Sequence, residues 1–121
     1  MKLRIKGNSL RIRLSKSEVD QLVSGSTLTD QTEFGKNSLR YMVQTVNTGE
    51  ALEASYENNL IALFVPNSLI ENWDTNATVG FESMMTTGTG NLHLLLEKDF
   101  KCIDKTTEDQ SDFFENPAKT C

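Results

Sequence analysis

Leu3 and Ile5, then Leu10, Ile12 and Leu14, alternate with polar residues over the first fourteen positions. A period of two is the signature of strands with one buried face. Between the two runs stands Gly7-Asn8, a pair suited to the positive φ angles of a two-residue hairpin turn. The pattern then turns helical. In SKSEVDQLVSG, Ser15 and Glu18 have capping-box spacing, Val19, Leu22 and Val23 form an apolar stripe, and Gly25 can end the helix. Strands near Thr27–Phe34 and Ser38–Val46, joined through Gly35-Lys36-Asn37, complete a ββαββ order.

The same order recurs. ALEASYENNLIALFV reads as a hairpin around Asn58-Asn59, Pro66 opens a short helix in PNSLIENW, and residues 77–100 read as a second hairpin with a turn at Gly88-Thr89-Gly90. A shift of 51 positions puts Leu10 on Ile61, Ile12 on Leu63, Leu14 on Val65, Val19 on Ile70 and Leu22 on Trp73. A shift of 53 then puts Leu39 on Leu92 and Tyr41 on Leu94. Agreement of strand, cap and turn at equivalent places is what an internal repeat produces. The expectation is a mainly β (α+β) fold of about eight strands and two short helices. Two pseudo-symmetric ββαββ repeats would form a small barrel or a pair of curved sheets, with the helices plugging the ends. The 121 residues suit one domain. Residues 1–49 would be the first repeat, 50–100 the second, and 101–121 an acidic segment packed on the domain.

Charge changes the picture. The net charge is −5, yet residues 1–45 carry eight Lys/Arg against four acids while residues 46–121 carry four Lys against thirteen acids. With Gly7-Asn8 as the turn, Lys2 lies opposite Arg13, Arg4 opposite Arg11 and Lys6 opposite Ser9. Five cations then share one face, and like charges across a strand pair are destabilising. Something negative should sit nearby. Internal candidates are the acidic tail (Glu108, Asp109, Asp112, Glu115), or Glu53 and Glu57 at the positions equivalent to Lys2 and Lys6. A small anionic ligand would be gripped by Lys2, Arg4, Lys6, Arg11, Arg13 and Arg40, the arginine forks suiting phosphate. Nucleic acid is disfavoured, because the acidic remainder repels a long polyanion and the sparse aromatics offer no stacking platform.

Other chemistry is thin. Cys102, Cys121 and His93 are residue types that hold zinc, and Phe113-Phe114 could instead pin the tail with the cysteines as buried fillers. No C-x-x-C or H-x-x-x-H pair, P-loop, GxGxxG, GxSxG or HExxH is present, so no cofactor and no catalytic residue is expected. Glu53 and Glu57 share a strand face, like the carboxylate rows of triphosphate-processing tunnel barrels. A phosphate- or nucleotide-processing enzyme is therefore one alternative to a non-enzymatic binding or regulatory module. A self-associating structural protein, with homo-oligomers built on the two charge halves, is another. The longest apolar runs are strand-sized and the charged N-terminus lacks an apolar signal core, so no membrane partner and a cytoplasmic address are expected.

Two resemblances add to this. LIALFVPNSLIENWDTNATVGFE resembles the swapped-hairpin barrels of AbrB-type proteins, where a strand runs into a Pro-led helix, a loop and a second strand. Over the whole chain, MKLRIKGNSLRIRLSKSEV together with EKDFKC, EDQSD and the closing NP…C resembles a family of small uncharacterised bacterial proteins. That resemblance implies a complete, bacterial-type chain whose C-terminal segment belongs to the domain, and it implies no activity, cofactor or catalytic residue.

Overall fold

The computed structural model describes residues 1–101 together with 112 and 114. Eight strands and two helices follow the expected order: β1 (Lys2–Lys6), β2 (Ser9–Leu14), α1 (Lys16–Val23), β3 (Leu28–Glu33), β4 (Ser38–Val46), β5 (Glu53–Glu57), β6 (Leu60–Pro66), α2 (Asn67–Ile70), β7 (Gly80–Thr86) and β8 (Asn91–Lys98). They form two four-stranded sheets, ordered β1-β2-β8-β7 and β3-β4-β6-β5. The sheets do not join into a closed barrel, so the pair of curved sheets is the architecture realised. Advancing each strand number by four turns the order of one sheet into that of the other.

Neither sheet belongs to one half of the chain. Each joins a hairpin from residues 1–46 to a hairpin from residues 53–98 through a central parallel pair, β2 with β8 and β4 with β6. Parallel neighbours need a long crossover rather than a tight turn, so this pairing is remote in sequence. The four hairpins are antiparallel, and β1–β2 has the expected register, with Leu3 opposite Ile12 and Ile5 opposite Leu10. Its turn takes positive φ at Gly7 alone, whereas Asn58 and Asn59 are both left-handed in the equivalent β5–β6 turn. These are the signatures of II′ and I′ turns, two solutions that match the twist of the flanking strands.

The core lies between the sheets and is apolar, with no buried polar or charged side chain among the described residues. Ile12, Leu14, Leu63, Val65, Leu94 and Leu96 come from the central strands and are closed to solvent. Both helices leave their strands at the same end of this sandwich. Val19 and Leu22 of α1 insert there, with Ile70 of α2 and Trp73 just beyond it. Trp73 is fully buried, stacks at a tilt on Phe81 with centroids 5.0 Å apart, and donates its indole N–H to Thr78 O at 2.9 Å. An expected plug at each end thus becomes two helices at one end, because α1 and α2 both follow strands that run the same way from the hairpin turns.

Candidate functional site

The cationic ribbon forms as its register requires. Lys2 faces Arg13, Arg4 faces Arg11, and these side chains lie on the outer face of their sheet. Among the described residues, counter-charges come from the neighbouring strand and its end. The parallel partner β8 sets Glu97 beside Arg13. The carboxylate approaches Arg11 Nε at 3.0 Å and Arg13 Nε at 3.9 Å. Just past β8, Asp99 pairs with Lys2 Nζ at 2.7 Å. Glu53 and Glu57 lie exposed on β5 of the other sheet and make no ion pair among the described residues. Glu108, Asp109 and Glu115 of the acidic tail are outside the described residues, and Asp112 is exposed.

Arg40 parts company with the other five cations. It sits on β4 in the other sheet, where Nη2 donates to Asn58 O at 3.2 Å across the β5–β6 turn. An anion held on the ribbon would therefore not meet it. His93 lies on the same outer face as the ribbon, its Nε2 2.9 Å from Glu82 Oε2, and both side chains reach solvent. Cys102 and Cys121, proposed with it as zinc ligands, are outside the described residues. Among the described residues no three His, Cys, Asp or Glu side chains cluster as a metal site. Phe114, the described member of the Phe pair, is fully exposed and pins nothing.

The capping box is present and does more than its spacing predicts. Ser15 Oγ accepts from Glu18 N–H at 3.3 Å, and Glu18 Oε1 accepts from Ser15 N–H at 2.8 Å. The same carboxylate receives the Met1 ammonium at 2.6 and 2.7 Å. Burial raises the Glu18 pKa, but the hydrogen bonds from the ammonium and Ser15, with the ammonium's charge, outweigh it and hold the carboxyl below its ordinary value.

At the end opposite the helices the sheets part. A cleft of about 450 Å³ opens among the four hairpin turns. Leu10, Leu39, Ala54, Ile61, Met85 and Leu92 line its depth. Ile5 and Tyr56 flank the mouth, 60% and 64% exposed, and the turn Gly7-Asn8-Ser9 forms a polar margin. Three pairs of lining residues hold equivalent places in the two halves: Ile5 and Tyr56, Leu10 and Ile61, Leu39 and Leu92. The cleft thus draws its lining from both sheets. Among the described residues its lining contains no Asp, Glu, His, Cys, Lys or Arg side chain. The alternation had marked these apolar residues as inward-facing, but a void is defined by side chains that are missing, and no motif announces one.

A family model described as a family of unknown function matches residues 1–118. No curated protein and no solved structure matches the chain.

Proposed function

Because the chain belongs to DUF7009, a family of unknown function, we infer its role from its own geometry: it is a non-enzymatic binding module. The ligand we assign is a small, largely apolar molecule held in the cleft between the sheets. The observation that carries this reading is the cleft itself. Its volume of about 450 Å³ falls inside the roughly 300–1,000 Å³ of small-molecule sites, and an apolar lining with a few polar groups at one margin is their usual composition. A lining without acid, imidazole, thiol or amine suits holding a molecule better than transforming one. Glu53 and Glu57, the carboxylates of the enzyme reading, face solvent on the outer side of β5 instead of the interior.

Titration with 1-anilinonaphthalene-8-sulfonate and with medium-chain alcohols tests it. Fluorescence should rise saturably, and the melting temperature should climb with ligand concentration by mass action. Ala54→Phe, which fills the cleft, should abolish both responses. Absence of any response, or the same response in the filled variant, rejects the reading.

A second reading rests on a different observation. On the ribbon face five cations lie together, with Glu97 and Asp99 beside them among the described residues. A small phosphorylated anion there would raise the melting temperature of the parent and of Ala54→Phe alike, and would lose its effect in high salt.

A further inference from the structure

The two seams between the sheets are built differently. At one, β5 and β7 touch. Ser83 Oγ accepts from Leu52 N–H at 3.0 Å, and Met85 Sδ accepts from Ala54 N–H at 3.3 Å. Side chains of β7 thereby satisfy amides along the outward edge of β5. The other seam is bounded by β1 and β3, the remaining terminal strands of the two sheets. A shift of 53 sets Asp30 where Ser83 stands and Thr32 where Met85 stands, and both are exposed. Everything in β3 after Leu28 faces solvent.

Among the described residues these two edges are open in the backbone as well. Lys6 and Ser9 flank a two-residue turn as a hydrogen-bonded pair, so the alternation of the ladder aims the peptide groups of Leu3 and Ile5 away from β2. In the β3–β4 hairpin Phe34 N–H bonds Asn37 O at 2.8 Å, which aims those of Thr29, Gln31 and Glu33 away from β4. Of these, Gln31 N–H is met by Asp30 Oδ1 at 2.8 Å. Exposed edges with unpaired peptide groups are templates for another strand.

Independently of the cleft reading, we propose that two copies of this chain associate through this seam, β1 of each laid against β3 of the other about a twofold axis. Charge selects the arrangement. β1 carries Lys2 and Lys6, and β3 carries Asp30 and Glu33. Pairing β1 with β1, or β3 with β3, sets like charges together, whereas β1 with β3 sets opposite ones together. Both edges lie on one seam, so a twofold axis makes two such junctions at once and leaves neither strand open, the self-complementary form of interface. The contact covers Ile5, which is 60% exposed in the single chain. Lys2 can take part while paired with Asp99, because its side chain remains 72% exposed there.

Light scattering and sedimentation of the full chain test this. In low salt at micromolar concentration the mass should be twice the 13.6 kDa of one chain. Lys2→Glu with Lys6→Glu should halve it, as should Asp30→Lys with Glu33→Lys. Circular dichroism melts verify that both variants fold, which their exposed positions allow. Mixing the two variants should restore the doubled mass, because each junction then again joins opposite charges. A monomer at every concentration up to about millimolar overturns the proposal. So does a dimer indifferent to both reversals, or a mixture that stays monomeric. A monomeric parent that becomes dimeric only when Glu108, Asp109, Asp112 and Glu115 are neutralised would assign β1 to the chain's own tail and likewise overturns it.

Discussion

The two ends of the sandwich are made from the same eight strands and finished in opposite ways. At one end Leu14, Val19, Leu22, Val65, Ile70 and Trp73 close the space between the sheets to solvent. At the other, equivalent residues of the two halves face a void of about 450 Å³. The filled end has helices to draw on, while the open end has only turns of two to four residues, too short to fold back over the gap. Stability therefore gathers at the helical end, and the proposed binding cleft lies where packing is incomplete. A family of unknown function is approached through that division more readily than through any single residue.

Substitutions at the two ends should separate them. The largest effect belongs to Trp73→Ala, which removes a fully buried indole and its bond to Thr78, and should cost about 3–5 kcal/mol in urea melts. Leu92→Ala at the open end removes a half-buried side chain already beside a cavity and should cost less than about 2 kcal/mol. Equal costs would show that the open end is packed like the closed one.

Gly80→Ala comes next. A Cβ there would stand 2.3 Å from Leu96 O and 2.8 Å from Glu97 Cα, and backbone cannot yield cheaply, so a loss of about 1–3 kcal/mol is expected. Gly7→Ala at the open end meets no atom and should cost only about 1 kcal/mol, for its φ of +56°.

Glu18→Gln should be milder, below about 1 kcal/mol, because the bonds it weakens are partly solvated. Its pH dependence is the sharper measurement. A carboxyl held below its ordinary value contributes stability above the unfolded pKa, near 4.3, and loses it as the pH falls through the folded one. The gap between parent and Glu18→Gln at pH 7 should close as the pH falls below that range.

Smallest in stability, and most telling for the cleft, is Ala54→Leu. It should shift stability by less than about 1 kcal/mol while weakening the binding of apolar probes. A loss as large as that at Trp73 would mean there was no room to fill.

Much of this architecture was legible because it is local. The Gly7-Asn8 turn fixed which of Lys2 to Arg13 face one another, and Ser15 with Glu18 announced α1 three residues ahead of its apolar stripe. What lay hidden is what distant segments do together. Nothing near Arg11 and Arg13 indicates that Glu97 will stand beside them, because β2 and β8 pair in parallel and no turn joins them. Of the candidates the sequence offers, Glu53 and Glu57 lie in the other sheet, and Glu108, Asp109 and Glu115 of the tail are outside the described residues. Charge alone groups Arg40 with the ribbon, although β4 carries it into the other sheet. Spacing marks Glu18 as a cap, while its bond to the Met1 ammonium depends on β1 beginning beside α1. The cleft had no signal of its own, since its walls read as ordinary core.

The parallel pairing of Ser9 with His93 also has a consequence for how the chain is made. A ribosome releases β2 about eighty residues before the strand that will shelter it. At the usual 5–20 residues per second, Leu10, Ile12 and Leu14 wait roughly 4–16 s for Leu94 and Leu96 to emerge. During synthesis the first hairpin is an unfinished sheet with an apolar face and an unsatisfied neighbour. The five cations on its other side then keep nascent copies apart, because Glu97 and Asp99 arrive only with the strand that completes the fold.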